Sequence, residues 1–312
     1  MAAYAELVRA WPTSVEIREV GPRDGLQNEA PIPVADRVRL IDALSGTGLR
    51  RIEAAAFVSP KAIPPMAGSD EVMAAIRRAP GVTYRALVPN RLGAQRALDA
   101  AADELEIVVS ASETHNRKNV RRSVDESLAD VAPLVEEAHG AGVPVDGIVS
   151  TAFGCPYEGD IAPPRVATVA RRLLDAGVDR VSFGDTTGMA TPRRVADLLD
   201  ALDAVGIAAA DIALHFHDTR GTALANVLAG MEAGVTRFDA SIGGLGGCPY
   251  APGASGNAVT EDLVHMLHDM GIDTGIDLDA LLECARLAEA LVGRELPSAL
   301  LRAGPRSVRV GA

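Results

Sequence analysis

The chain has 312 residues, 48% of them hydrophobic, and a formal charge of -12. That is enough apolar matter for one large core or two smaller ones. The acidic balance argues against nucleic acid or an anionic membrane as the main partner, because both require an excess of Lys and Arg.

Along the chain one beat repeats: an Ala/Leu/Arg/Asp-rich stretch with helical periodicity, a glycine, then a short apolar run. The joints are Gly48, Gly81, Gly142, Gly177, Gly206 and Gly234. Glycine just past a helix end takes the left-handed conformation that closes the helix, and the β-rich run after it starts a strand. Strands are expected at 15–20, 51–55, 84–88, 106–110, 145–150, 180–184, 212–217 and 237–241. Helices are expected at 34–45, 70–78, 92–101, 124–139, 164–176, 192–205, 223–233 and 260–270. Eight alternating units without an evident linker predict an α/β fold, a closed TIM (β/α)8 barrel, with an open doubly wound sheet as the alternative. One further amphipathic helix is expected at 277–292, with Leu278, Leu281, Leu282, Ala285 and Ala288 at helical spacing. The reading is therefore a single barrel domain over 1–312, residues 271–312 forming a C-terminal helical extension.

Three cysteines, Cys155, Cys248 and Cys284, include no close Cys-x-x-Cys pair and cannot make a paired framework, which fits a reducing compartment. The first residues lack a signal-like apolar run, and no stretch approaches the length of a membrane span. A cytoplasmic protein with no membrane contact is expected.

In such barrels the chemistry sits where strands end and loops begin. The run I-A-L-H-F-H-D-T places His215 and His217 two apart, hence on one face if the strand continues through them. Two imidazoles there are half a metal site, or hydrogen-bonded core groups. After the first strand, E-V-G-P-R-D-G-L-Q-N-E presents Arg23 and Asp24, either a surface ion pair in a turn or a functional pair. Glu53 interrupts an apolar strand, so it needs a cation, and Arg23 on the neighbouring strand is the natural one. Asp185, in S-F-G-D-T-T-G, either bonds loop amides or supports a ligand from behind. Cys248 lies within the glycine-rich run S-I-G-G-L-G-G-C-P-Y-A-P-G-A-S-G-N, which ends at Asn257. Cys155, in a second Gly-Cys-Pro-Tyr run, is expected to pack its loop, and Cys284 to pack on its helix. Asp24, His215, His217 and Asn257 together offer two oxygen and two nitrogen ligands. That set favours Mg2+ or Mn2+, with zinc disfavoured because no thiolate is needed.

The stretches E-V-G-P-R-D-G-L-Q-N-E, F-V-S-P-K, G-C-P-Y-E-G, G-D-T-T-G, H-F-H-D-T and G-L-G-G-C-P-Y-A-P-G-A-S-G-N, in this order, resemble the 3-hydroxy-3-methylglutaryl-CoA lyase family of metal-dependent barrels. The resemblance implies a retro-Claisen cleavage of an acyl-CoA to acetyl-CoA and acetoacetate. It implies that Asp24, His215, His217 and Asn257 hold a divalent cation, and that Asp24 also takes the hydroxyl proton. It further implies that Arg23, oriented by Glu53, faces the thioester enolate and that Cys248 returns the proton. A homo-oligomer is expected.

The chain departs from the family pattern at Ala30, at Ala54, Ala55 and Ala56, where hydroxyl residues are usual, at Ala62, where a tryptophan is common, and at Arg220. If Ala54 to Ala56 and Ala62 line the acyl pocket, that pocket is enlarged and a bulkier C3 substituent is tolerated. The competing readings are a lyase for a larger 3-hydroxy-3-alkylglutaryl-CoA and a barrel that binds metal or acyl-CoA without catalysis.

Overall fold

The structure, a computed structural model, describes residues 11–246 and 256–306. All six joint glycines have φ between 75° and 99°, the left-handed conformation expected of them, and each is followed by a strand. The strands are β1 (Glu16–Glu19), β2 (Arg51–Ala56), β3 (Thr83–Leu87), β4 (Glu104–Ser110), β5 (Val145–Ser150), β6 (Arg180–Gly184), β7 (Ile212–His215) and β8 (Arg237–Ala240). All neighbours pair in parallel, and β1 closes on β8 through four registered pairs from Glu16↔Arg237 to Glu19↔Ala240. Closure removes the open-sheet alternative.

The helices are α1 (Val34–Ser45), α2 (Ser69–Ala75), α3 (Arg91–Asp99), α4 (Glu113–Val120), α5 (Val124–Ala129), α6 (Val131–Gly140), α7 (Pro163–Asp175), α8 (Pro192–Asp203), α9 (Ala223–Glu232), α10 (Thr260–Asp269), α11 (Leu278–Val292) and α12 (Ala299–Ala303). Helix α8 shows why these stretches fold as they do. The Thr191 side chain accepts from the Arg194 amide, Pro192 occupies the first turn, and Val195, Leu198, Leu199 and Leu202 are buried at helical spacing. The single helix expected at 124–139 is two, α5 and α6. Pro133 has no N–H to give the carbonyl of Ala129, and it is tolerated because the break places it in the first turn of α6. Two more elements were not expected: α4, and α12 beyond the predicted C-terminal helix.

The apolar core lies between barrel and helices, where Leu214, Phe183 and Phe238 are fully buried. The barrel interior is ionic instead. Arg18 Nε donates to Asp239 Oδ1 (2.5 Å) and its Nη1 to Asp146 Oδ2 (2.7 Å). Arg85 bonds Glu104 (2.7 Å), Glu106 (2.5 Å) and the same Asp146 oxygen (2.6 Å). Both of these guanidiniums meet more than one carboxylate, which is what allows such charges to leave water. No helix among the described residues is long and apolar enough to cross a membrane.

Candidate active site

Past β1 the chain makes one π-helical turn, Gly21–Gly25, in which the Asp24 and Gly25 amides both donate to the Val20 carbonyl at 2.7 and 3.2 Å. This wide turn, and not a strand end, turns Arg23 and Asp24 into the mouth. Arg23 Nε donates to Glu53 Oε1 at 2.5 Å and Nη1 to Asp24 Oδ1 at 2.7 Å. The expected Arg23–Glu53 pair is therefore present. Burial pushes the Glu53 carboxyl well above the ordinary carboxylate range; Arg23 opposes the shift, and the hydrogen-bonded Glu106 carboxyl adds to it.

Asp24 Oδ1 also accepts from Gln27 Nε2 (2.7 Å), and Oδ2 from Asn257 Nδ2 (2.8 Å). Burial works against its charge, but Arg23, His215, His217 and Asn257 together outweigh burial and hold the pKa below its usual value.

Strand β7 ends at His215, one turn of the pleat earlier than expected. His217 is held instead by an antiparallel bridge to Asn257, so the histidine pair depends on the chain returning from the far end of the glycine-rich run. The rings come together with centroids 5.2 Å apart. That return needs glycine at both ends: a Cβ on Gly256 would lie 1.1 Å from the Gly246 carbonyl oxygen, and Gly246 itself has φ +105°. Cys248, expected in the catalytic set, lies outside the described residues.

Asp24, His215 and His217 each offer a ligand atom, and these atoms lie within 4.8 Å of one another. Among the described residues, His217 Nδ1 and Asn257 Oδ1 are buried without a hydrogen-bond partner, an arrangement that costs free energy unless something else engages them. Burial and the neighbouring His215 lower the His217 pKa to about 3, so its ring is neutral, the form a metal ligand requires. The residues fit a divalent cation. Asn257 differs from expectation in one respect: its Nδ2, fixed by a second bond to the Leu245 carbonyl (3.1 Å), is the atom that faces Asp24.

Asp239 was not anticipated. It stands in register with His215, and its Oδ2 meets His215 Nδ1 at 3.2 Å while Oδ1 binds Arg18. Burial disfavours a charged His215 ring, yet the hydrogen bond and charge of Asp239 raise its pKa. The only sequence signal was a carboxylate inside the short apolar strand R-F-D-A-S, the same signal that marked Glu53. A carboxylate on Nδ1 leaves Nε2 as the ligand nitrogen and orients the ring. Asp239→Asn is expected to weaken Mn2+ affinity by about 10- to 100-fold in calorimetric titration, with the circular dichroism spectrum preserved.

Asp185 is expected among the catalytic residues, but the structure places it behind the wall. It is 1% exposed, its Oδ1 accepts from the Met189 and Ala190 amides (2.7 and 3.0 Å), and its own amide donates to the His215 carbonyl (2.8 Å). Burial raises its pKa to about 6. Of its two expected readings, the loop-amide one describes its side chain.

A cavity of about 810 Å³ opens at this mouth, and Arg23, Asp24, Glu53, His215, His217 and Asp239 line one side of it. Ala62 lines it too. Ala54, Ala55 and Ala56 do not: they are at most 1% exposed, packed at a register shift between Glu53 and Ala55, so they enlarge no pocket. Arg220 is spent on the Thr187 and Gly188 carbonyls, both at 2.8 Å. Cys155 packs its loop, donating to Ser112 Oγ at 2.9 Å, and Cys284 is buried on α11.

Among known proteins, the chain is 49% identical over 290 residues to the hydroxymethylglutaryl-CoA lyase YngG of Bacillus subtilis, covering 92% of this chain and 96% of that one. It is 46% identical over 284 residues to the 3-hydroxy-3-isohexenylglutaryl-CoA/hydroxymethylglutaryl-CoA lyase of Pseudomonas aeruginosa, covering 91% and 94%. Its fold superposes with a TM-score of 0.92 on the crystal structure of the Bacillus subtilis HMG-CoA lyase, at 48% identity and covering 94% and 99% of the two chains. An HMG-CoA lyase of Acinetobacter baumannii, solved in complex with coenzyme A and 3-methylmalate, gives a TM-score of 0.91 at 45% identity, covering 97% and 99%. With residues 14–288 matching its description and the barrel, ligand cluster and arginine pair all in place, this chain belongs to the HMGL-like family.

Proposed function

We infer that the protein is a carbon–carbon lyase that cleaves 3-hydroxy-3-methylglutaryl-CoA to acetyl-CoA and acetoacetate, with a divalent cation as cofactor. The observation that carries this reading is the meeting of Asp24, His215 and His217 with the Arg23–Glu53 pair in one cavity. Asp24, His215, His217 and Asn257 would hold the cation. Mg2+ or Mn2+ suits their mixed oxygen and nitrogen donors, and either would acidify the substrate's C3 hydroxyl when bound.

This chain's residues account for the rest. The C2–C3 bond breaks as the hydroxyl loses its proton, for which Asp24 is the ionised acceptor. The bond's electrons remain on C2 as a thioester enolate, and the Arg23 guanidinium, fixed by Glu53, is the cation aimed at that developing charge. Cys248 is the thiol we assign to protonate C2, on the family resemblance alone. Asp185 and Asp239 position the β7 end. A homo-oligomeric, cytoplasmic protein is part of the same proposal, resting on the sequence.

The test is acetyl-CoA release from 3-hydroxy-3-methylglutaryl-CoA. Chelator-treated protein is expected to be inactive and to recover with Mg2+ or Mn2+. Full activity in metal-free protein would refute the cation, and no acetyl-CoA under any loading would refute the substrate.

A further inference from the structure

The metal-facing side of the cavity is polar, whereas the opposite side sets apolar strand residues beside polar ones such as Glu106 and Ser150. Inward positions alternate along each strand. Two residues above the buried charges Arg85, Glu106 and Asp146 come Leu87 on β3, Val108 on β4 and Ile148 on β5. All three line the cavity. They are partly exposed, although the residues flanking Val108 and Ile148 in their strands are buried. Val108 and Ile148 are registered partners on adjacent strands, so their side chains form one apolar surface above the ionic layer, while Leu87, registered with Glu106, reaches the cavity one inward position lower on β3. The strand order puts this surface across the barrel from β7, β8 and β1, which carry or lead into His215, Asp239, Arg23 and Asp24.

An acyl chain whose C3 hydroxyl faces the cation and whose thioester arm faces Arg23 must turn its C3 alkyl group elsewhere. Among the strand residues of this rim, Val108 and Ile148 offer an alkyl group an apolar surface away from the cation; Val58, Ala62 and Ile63 offer another from the loop after β2. We propose that Leu87, Val108 and Ile148 form the subsite for the C3 alkyl substituent, with Val108, the middle of the three, setting its size. The proposal rests on the lyase reading above and adds what that reading leaves open, the residues that choose among 3-alkyl substrates. It replaces Ala54 to Ala56, which face no cavity. Ala62 remains the rival, because it lines the same cavity from a loop.

Each extra buried methylene is worth about fourfold in affinity, and a hydrophobic pocket separates neighbours differing by one methylene by roughly 10- to 200-fold. The experiment compares kcat/KM for the methyl substrate and for 3-propyl and 3-pentyl analogues, in the metal-loaded wild type, Val108→Ala, Val108→Phe, Ile148→Val and Ala62→Trp. Val108→Ala is expected to shift the analogue-to-methyl ratio upward by about 10-fold, and Val108→Phe to shift it downward by at least as much. Ile148→Val, a milder change, should move it upward by a smaller factor, which keeps the test open if a Val108 variant fails to fold. Mn2+ affinity should stay at the wild-type value in each folded variant. A ratio that stays within twofold in the wall variants, or that moves only with Ala62→Trp, overturns the proposal. Failure of the wild type to cleave the methyl substrate would be a different result, overturning the underlying lyase reading.

Discussion

Arg23→Met is expected to lower kcat by about 100- to 1,000-fold, roughly 2.7–4 kcal/mol, while Mn2+ affinity changes little. Arg23 is 7% exposed and its guanidinium is fixed by two carboxylates, so it is aimed before substrate arrives and needs no reorganisation as charge develops. Methionine keeps the apolar stem and removes only the charge. The fold should survive, because Glu53 already has its pKa raised by burial and lies against Glu106. Burial thus favours the neutral form of the Glu53 carboxyl once Arg23 is gone, and Glu106 keeps its own partner in Arg85. Single-turnover kinetics with metal titration separates the two effects: equal losses in kcat and in metal affinity would show that Arg23 serves the metal site and not the enolate.

The second large effect is on the cation itself. His217→Ala should weaken Mn2+ binding by more than the 10- to 100-fold expected for Asp239→Asn, because it removes a ligand and not a ligand's support. Turnover falls with it. Stability supplies a readout independent of activity. In the metal-free protein the buried Nδ1 of His217 has no partner among the described residues, so deleting the ring removes an unsatisfied group as well as some packing. The Tm of the metal-free variant is therefore expected to stay near the wild-type value. Cation at 100 times Kd stabilises the wild type by about 2.7 kcal/mol, and at the same concentration that increment should vanish in the variant. A metal-induced Tm rise of wild-type size in His217→Ala would exclude His217 as a ligand.

The sequence by itself determined the barrel. Six glycines at helix ends, with strand-forming runs after them, are local signals, and each did what local backbone physics requires. His215, His217, Arg23 and Asp24 were legible because polar groups at strand ends stand out against apolar runs, and the need of Glu53 for a cation named Arg23. The break in the helix expected at 124–139 was missed, although Pro133 carried its signal in a missing N–H. Tertiary structure decided the rest. Arg18 and Asp239 are 221 residues apart and meet only because β1 closes on β8, so the support beneath His215 depends on closure and register, which no local pattern encodes. The bridge that holds His217 beyond the end of β7 likewise depends on Asn257 returning from another loop. Whether an alanine lines a pocket or fills a bulge is equally invisible in sequence. Ala54 to Ala56 and Val108 are all small apolar strand residues, and only their places in the closed barrel, buried at a register shift for the first three and on the cavity rim for the last, make the former packing and the latter a wall of the cavity.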